Sequence, residues 1–442
     1  MVKPPLEKPY NAARLPFSFD LAQELLATYG SPLYVYDGDR LRQTICHITR
    51  SIPYSQTQFR FASVTNGNLS LLQIFRETGW GLHANTPGDI YLGLHAGFHP
   101  RQIVYSGSNL NRAEMAQVLA WNIGTLNLDS LSQLQLFCEV YTESSRQPPV
   151  PQPSPFLSLL SPLSSPLTPF SSPLSPPSSP RLGLRLNHPE LTGDSRIGVR
   201  PAEFSNAVAI ARQAGLKITG LHFYRGTGTN ATSAFTRVID TLLEIGQFLP
   251  DWEYLDFGGG FGYPYHHHKA AFDWAEFGRV LTDHLNHLNR PIELVIEPGR
   301  AAIAGCATLL TQVVSVKWQD HKQIVGTDTT VANLSVPSVH GGYREIVAWI
   351  APSPFPLAPP PSPTDICGNT TYSRDYLGRN CQLPPLQIGD ILAILDVGAY
   401  GYAMSSHFLH RPRPAEVLLE NHRHRLIRKR EDYDILLHNQ VF

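Results

Sequence analysis

Short apolar runs alternate with amphipathic patterns along the first two thirds of the chain. The first unit is the strand-like run FRFAS (59–63), followed by LSLLQIFRETG (69–79), whose apolar residues keep a helical spacing until Gly79 ends the pattern. Similar units begin at QIVYSG, TLNLDS, LGLRLN, KITGLHFY, YLDFGGG and ELVIEPG. Repeated units of this kind predict a parallel sheet covered by helices, and about eight of them favour a closed barrel over an open sheet.

The pattern changes after Ala301. Strand-like runs such as LLTQVVSVK, IVAWI, ILAILDVG and AEVLL follow one another without helical patterns between them. This arrangement predicts a separate antiparallel β domain. The predicted fold class is therefore α/β, a (β/α)8 TIM-type barrel with a C-terminal antiparallel β domain.

Two segments do not have the composition of a packed domain. Residues 148–180 are mostly proline and serine, which propagate neither helix nor sheet and bury little apolar surface. Because ordered patterns resume on both sides, we predict a disordered insertion that loops out of a domain. The proline-rich segment Pro352 to Pro363 is predicted to be an extended surface loop.

The composition of the chain argues against nucleic acid and membranes as partners. The 442 residues include 35 Lys and Arg against 36 Asp and Glu, a formal net charge of -1, so nucleic acid is not an expected partner. The N-terminal segment has no signal-peptide pattern, and no apolar run approaches the roughly 18 residues of a membrane span. We therefore expect a cytoplasmic protein that does not associate with membranes.

Metal binding is not expected from the sequence. The five cysteines are widely scattered, without the paired spacings of a zinc site, and are expected to be reduced. The three histidines at 266–268 have no cysteine or carboxylate cluster beside them, which favours a solvated loop over a metal site.

A glycine-rich segment follows one predicted barrel strand. In YLDFGGGFGYP, Gly258, Gly259 and Gly260 come directly after the strand, where the absence of side chains lets backbone N–H groups approach an anion such as a phosphate. A tight barrel turn would also account for these glycines. Barrel enzymes carry function at the C-terminal ends of their strands, which favours the phosphate interpretation.

Further candidate residues follow other strands. VIEPGR contains Glu297, which could face a ring nitrogen, and Arg300, which could bind a phosphate, although an ordinary ion pair would also explain them. Tyr224 could lie against a flat cofactor, and Thr227 between two glycines could add an anion donor. Tyr400 would reach the site from the β domain. Each of these motifs is a weak indication of function by itself. Their order along the chain is a more specific indication.

That order resembles the pyridoxal-phosphate-dependent decarboxylases with an alanine-racemase-like barrel, most closely the diaminopimelate decarboxylases. The matching segments are SPLYVYD, NLDS, GLHF, DFGGGFG, EPGR, DVGAY and RPRPAEVL. The resemblance implies a barrel over residues 37–305 with the insertion at 146–180, and a β domain made of 1–36 and 306–442. It also implies pyridoxal 5'-phosphate as cofactor, with its phosphate on the glycine loop and its pyridine nitrogen on Glu297, and a homodimer with sites at the subunit interface.

The match fails at the residue that carries the family's chemistry. The family's first-strand motif Tyr-Ala-x-Lys-Ala-Asn corresponds here to FASVTN, so Val64 stands where the family has its Schiff-base lysine. An isopropyl group cannot form an imine with the cofactor. The stacking histidine of the family is replaced by Tyr224, and the aspartate after the second strand by His83.

The substrate-reading loops also differ from the family. Thr371 replaces the cysteine proton donor and Tyr372 the substrate-reading glutamate, while the segment from Val336 to His340 replaces the Arg-Pro-x-x-Tyr element. His83, Val336, His340 and Tyr372 remain candidate pocket residues for a small-molecule ligand.

The residues that would hold the cofactor match the family, whereas the residues that would carry out its chemistry do not. The sequence thus predicts a degenerate family member, unable to form the covalent link. Three alternatives stay open: a non-catalytic regulator that forms a heterodimer with an active decarboxylase relative, an enzyme with altered chemistry on a phosphate-bearing ligand, and a drifting gene product without a retained role.

Overall fold

A computed structural model describes residues 17–146, 179–193, 195–226, 228–266, 268–349 and 361–441. The predicted insertion at 146–180 lies outside the described residues except at its ends, as does most of the predicted loop at 352–363. Thr227 is also outside them. No helix in the described part of the chain has both the length and the apolar composition of a membrane span.

Eight parallel strands form a closed barrel, which confirms the predicted (β/α)8 architecture. The strands are β2 Thr57–Ala62, β3 Gly81–Ala84, β4 Ile103–Tyr105, β5 Thr125–Leu128, β6 Arg181–Arg185, β7 Ile218–His222, β8 Tyr254–Asp256 and β9 Glu293–Ile296. Closure comes from β9 pairing with β2, where Thr57 is opposite Leu294. All strand edges in the barrel are therefore paired.

Helices connect and cover the barrel strands, with further short helices in the sheet domain. They are α1 Phe19–Tyr29, α2 Gly38–Ser51, α3 Leu69–Glu77, α4 Pro87–His95, α5 Arg112–Ala120, α6 Leu131–Arg146, α7 Pro189–Thr192, α8 Phe204–Gln213, α9 Thr232–Thr236, α10 Ile239–Gly246, α11 Trp274–Asn286, α12 Arg300–Ile303 and α13 Val336–Val339. Side-chain caps fix the starts of several of them. Helix α4 begins with a reciprocal cap between Thr86 and Asp89 and a proline in its first turn.

The predicted β domain is confirmed, and its sheet is mixed. Its strands are β1 Leu33–Asp37, β10 Ala307–Gln319, β11 Lys322–Thr327, β12 Ile346–Trp349, β13 Ser362–Cys367, β14 Tyr376–Leu383, β15 Ile391–Ile394, β16 Ala415–Glu420 and β17 Arg423–Arg428. Most neighbours are antiparallel, but β1 pairs with β16 and β11 with β13 in parallel. Parallel neighbours need crossover connections, and in both pairs other elements lie between the strands in sequence.

A buried polar cluster joins the barrel to the sheet domain. Glu416 is fully buried and accepts hydrogen bonds from the Tyr36 hydroxyl at 2.6 Å and the Asn68 amide at 2.8 Å. The Arg428 guanidinium forms an ion pair with the same carboxylate. Tyr36 lies on β1, Asn68 caps the start of α3 and Arg428 lies on β17, so Glu416 fixes how these three elements meet beside the site.

We expect Glu416→Ala to lower the free energy of unfolding by about 3–5 kcal/mol, because Arg428 and two buried donors lose their acceptor. Glu420→Ala is the matched control on the same strand, since the pair of Glu420 with Arg42 (3.3 Å) is partly exposed. That control should lose no more than about 1 kcal/mol. Chemical denaturation measures both values, and equal losses would contradict a special role for Glu416.

Candidate functional site

A cavity of about 640 Å³ opens at the C-terminal ends of the barrel strands, and residues of the sheet domain complete its wall. It brings together ten of the residues that the sequence singled out: Val64, His83, Tyr224, Gly259, Gly260, Glu297, Arg300, Val336, His340 and Tyr400. Gly258 adjoins the cavity without lining it, and Thr371 and Tyr372 are not among the residues around it.

The glycine loop after β8 packs so closely against neighbouring backbone that larger residues do not fit there. A Cβ atom on Gly259 would lie 2.7 Å from the carbonyl oxygen of Glu297, and one on Gly260 would lie 2.6 Å from that of Gly226. Gly260 also has a φ of +94°, which favours glycine. Backbone therefore forms this part of the cavity wall, as an anion cradle requires.

Positive charge lies beside the cradle. The Arg300 guanidinium carbon is 5.1 Å from the ring centre of Tyr400, and a Cβ atom on Gly228 would be 3.5 Å from its Nε. Tyr400 has a φ of 59° and donates its backbone N–H to the carbonyl oxygen of Thr65 at 2.9 Å. The sheet domain thus holds an aromatic ring and the barrel a guanidinium at the same end of the cavity.

Tyr224 lies beside Arg185, whose guanidinium carbon is 5.3 Å from the tyrosine ring centre. Burial raises the pKa of Tyr224, with a smaller opposing contribution from Arg185. The hydroxyl is therefore neutral, and its ring offers a flat face to a ligand.

The cavity floor holds a buried ionisable cluster. Glu297 Oε2 lies 3.4 Å from His83 Nε2 and 3.5 Å from His222 Nε2. Burial raises the pKa of Glu297 to about 7 and lowers that of His222 to about 4. Burial, together with the neighbouring His222, also holds the pKa of His83 well below its ordinary value. Both imidazoles are neutral at pH 7 as a consequence.

Asp256 lies directly behind this cluster. Its pKa is raised well above the ordinary value by burial and then by the neighbouring Glu297. Its Oδ1 accepts the Gly258 N–H at 3.0 Å, and its Oδ2 accepts the Asn127 amide at 2.9 Å. These bonds fix Asp256 at the base of the glycine loop.

Val64 occupies a short 3-10 turn, Ser63–Thr65, that follows β2. It is 44% exposed and lines the cavity, although valine is normally buried. No lysine is among the described residues around the cavity. Lys217 directly precedes the N-terminal end of β7, and its Nζ is 3.1 Å from Asp251. Because the cavity lies at the C-terminal ends of the strands, Lys217 does not substitute for a lysine at position 64.

The loop that carries Thr371 and Tyr372 does not line the cavity. Thr371 is exposed, and the Tyr372 ring makes an edge contact with Phe408 at 5.5 Å between ring centres. Val336 and His340, at helix α13, do line the cavity. The predicted pocket residues are thus divided between the cavity and this separate loop.

Three histidine or arginine side chains of the cavity were missed from the sequence. His222 lies two positions before Tyr224, and the alternation of side chains along a strand could have indicated it. Arg185 ends β6, where barrel function is expected. Arg344 lies over Tyr265 at 3.8 Å from the ring centre, and its Nε and Nη2 have no hydrogen-bond partner among the described residues. No local pattern marks Arg344.

The residues suit non-covalent pyridoxal phosphate better than covalent pyridoxal phosphate. The glycine cradle and Arg300 match a phosphate, Tyr224 offers a ring face, and Glu297 Oε1 is buried without a hydrogen-bond partner among the described residues. Val64 offers no amine at the family's attachment position. The residues present therefore fit the phosphate and the ring but not the covalent link.

Known proteins share this architecture along nearly the whole chain. The diaminopimelate decarboxylase of Methanothermobacter thermautotrophicus is 32% identical over 95% of this chain and 94% of its own length. That of Aquifex aeolicus is 27% identical over 94% and 93%. The crystal structure of the Helicobacter pylori diaminopimelate decarboxylase complexed with L-lysine has a TM-score of 0.78 and 26% identity, covering 94% of this chain and 98% of that one.

The family model described as "Pyridoxal-dependent decarboxylase, C-terminal sheet domain" matches residues 33–398. This match spans both the barrel and most of the sheet domain. Together with the barrel, the sheet domain and the relatives above, it shows that the chain belongs to the pyridoxal-dependent decarboxylase family.

Proposed function

We propose that this chain binds pyridoxal 5'-phosphate, or a ligand with the same phosphate and ring, without a covalent link to lysine. We further propose that it does not decarboxylate diaminopimelate at a useful rate. The observation that carries both the missing covalent link and the loss of decarboxylation is Val64, a valine exposed to the cavity at the position where the family has its lysine.

The binding part of the proposal depends on the walls of the cavity. Gly259 and Gly260 with Arg300 would hold the phosphate, Tyr224 would cover one face of the ring, and Glu297 would meet the ring nitrogen. When bound, such a cofactor supplies an electron sink for a developing carbanion. The protein's own contribution is to orient the ring and to surround it with buried, fixed groups.

The loss of activity follows from several positions together. Without a lysine amine, neither the exchange of cofactor onto substrate nor the release of product has its catalyst. Thr371 and Tyr372 replace the family's proton donor and substrate-reading carboxylate, and Val336 occupies the arginine position of the substrate-binding motif. Restoring one group alone should therefore not restore decarboxylation.

Comparing ligands with and without phosphate tests this proposal. Purified full-length protein is titrated with pyridoxal phosphate, pyridoxal and inorganic phosphate while ligand absorbance and circular dichroism are recorded. We expect reversible binding of pyridoxal phosphate, with pyridoxal weaker by about 10-fold or more because the charge-assisted phosphate contacts are lost. Equal affinities, or carbon dioxide release from diaminopimelate at the rate of an active relative, would overturn the proposal.

A second candidate function is regulation through a heterodimer with an active decarboxylase relative. The loop of Thr371 and Tyr372 favours it, because these two residues do not line the cavity of their own chain and Thr371 is exposed. In a mixed dimer with shared sites, each site would contain one of the replaced groups. Co-expression with an active relative should give a complex of lowered activity, and a complex with unchanged activity would exclude this role.

A further inference from the structure

Arg344 is a buried arginine in the cavity wall that the proposed contacts to pyridoxal phosphate leave unused. It lies shortly after helix α13, is 4% exposed and lines the cavity. The phosphate is assigned to the glycine loop and Arg300, and the ring to Tyr224 and Glu297. Those contacts therefore do not explain why a charged side chain is buried at position 344.

The hydrogen-bonding groups of Arg344 are only partly satisfied by the protein. Its Nη1 donates to the carbonyl oxygen of Tyr343 at 2.7 Å, whereas its Nε and Nη2 have no hydrogen-bond partner among the described residues. Among those residues, its guanidinium thus has no carboxylate at hydrogen-bonding distance. Buried donors and buried charges are normally paired, so an acceptor from outside the chain would stabilise this arginine.

A second arginine adds to the positive charge around Arg344. The Arg344 guanidinium carbon lies 3.8 Å from the ring centre of Tyr265, and that of Arg300 lies 5.9 Å from the same ring centre. Burial lowers the pKa of Arg344 most, Tyr265 opposes this effect, and Arg300 lowers the pKa further, with a smaller opposing contribution from Asp396. Because arginine stays protonated in proteins, a bound anion would relieve the repulsion between the two guanidiniums.

The two unpaired nitrogens of Arg344 lie on one edge of its guanidinium. The N–H groups of Nε and Nη2 point in the same direction and match the two oxygens of a carboxylate. Both nitrogens are covered by protein atoms, so this contact requires the guanidinium to turn towards the cavity that it lines. The turn is favoured because it replaces two unpaired donors by two charge-assisted hydrogen bonds.

Arg344 and the glycine loop belong to different parts of the cavity wall. A Cβ atom on Gly228 would lie 3.5 Å from the Arg300 Nε, which places Arg300 beside the glycine loop. A Cβ atom on Gly342 would lie 3.6 Å from the Arg344 Nη1, which places Arg344 beside the segment after helix α13. A phosphate on the glycine loop therefore leaves Arg344 available for a second anionic group.

We infer that Arg344 binds a carboxylate, and that the ligand of this cavity therefore carries a carboxylate in addition to its phosphate and ring. The chemical class is an amino-acid conjugate of pyridoxal phosphate. The inference rests on the proposed function, which supplies the phosphate and ring positions. Val336 stands where the family has an arginine, so the guanidinium of this chain comes from a position eight residues later. Arg344 selects the ligand and takes no part in a chemical step.

Ligand pairs that differ only in a carboxylate test the inference in the natural full-length protein. Pyridoxal phosphate is reduced onto glycine, γ-aminobutyrate or ε-aminocaproate, and each conjugate is paired with that of methylamine, propylamine or pentylamine, which lacks the carboxylate. Three chain lengths are compared because only a chain of matching length reaches both anion positions. These secondary amines form no imine with lysine and need no catalysis, so calorimetry measures binding alone.

We expect at least one conjugate with a carboxylate to bind about 10-fold or more tightly than its partner, because it gains two charge-assisted hydrogen bonds. Arg344→Gln should reduce this ratio to about 1. Arg344→Lys keeps the charge but not the two-nitrogen edge, and should give an intermediate ratio. Arg379→Gln is the matched control, because Arg379 lies 3.7 Å from the ring centre of Tyr376 but does not line the cavity. It should keep the ratio of the natural protein.

Two results would overturn the inference and leave the proposed function intact. One is equal affinity within every pair, which would show that the cavity recognises no carboxylate. The other is an unchanged ratio in Arg344→Gln, or in Arg344→Lys if circular dichroism shows that the glutamine variant is not folded. That result would assign the carboxylate to another residue. Failure of the carboxylate-free conjugates to bind would instead overturn the proposed function, and this inference with it.

Discussion

Val64→Lys is expected to give this protein a covalent link to pyridoxal phosphate, which we propose that the natural chain lacks. The side chain of residue 64 is 44% exposed and faces the cavity, so a lysine has space to extend towards a bound ring. Arg185 and Arg300 line the same cavity, and nearby positive charge lowers the pKa of a lysine amine. The neutral amine is the form that attacks the cofactor aldehyde.

The measurement is intact mass after borohydride, which fixes an imine between lysine and the cofactor. We expect one adduct per chain in Val64→Lys and none in Leu69→Lys, a control at an exposed position outside the cavity. Decarboxylation of diaminopimelate should stay absent from both, because Thr371, Tyr372 and Val336 are unchanged. A Val64→Lys protein that binds the cofactor without an adduct would show that residue 64 does not face the reactive carbon.

Gly260→Ala is expected to abolish high-affinity binding of the phosphate-bearing ligand. The added Cβ would lie 2.6 Å from the carbonyl oxygen of Gly226, closer than real Cβ contacts, so the loop has to move. The φ of +94° adds strain of about 1–2 kcal/mol for alanine. Loss of two or three charge-assisted hydrogen bonds to the phosphate corresponds to about 100-fold or more in affinity.

Gly389→Ala is the control that separates the effect of backbone strain from the effect of displacing the glycine loop. Gly389 has nearly the same φ, +95°, with nothing within 4 Å of an added Cβ. It should lose a similar free energy of unfolding, about 1–2 kcal/mol, and keep full ligand affinity. Titration and chemical denaturation of the pair measure both effects. Equal loss of affinity in the two variants would contradict a binding role for the loop at Gly260.

The sequence predicted the fold where local patterns repeat. Units such as FRFAS followed by LSLLQIFRETG carry their own period and their own stop at Gly79, so the barrel could be deduced from them. The parallel pairing of β1 with β16 could not be deduced in this way, because the strands are separated by almost the entire chain. Such pairing depends on how the two domains pack and leaves no local pattern.

The candidate site was predictable only in part, for a similar reason. Glycines 258–260, Glu297 and Arg300 stand in short motifs directly after strands, and these motifs indicated them. The buried cluster of His83, His222 and Glu297 joins residues that are far apart in sequence, so no local pattern indicated that they meet. Only barrel closure brings the three strand ends together.

The central claim is that the cavity keeps its phosphate ligand but has lost the covalent link. The most direct measurement is an absorbance titration of the natural protein with pyridoxal phosphate, before and after borohydride, followed by intact mass. We predict saturable, reversible binding and a protein mass unchanged by borohydride. A stoichiometric covalent adduct would contradict the claim, since it would mean that another lysine has taken over the role that Val64 cannot perform.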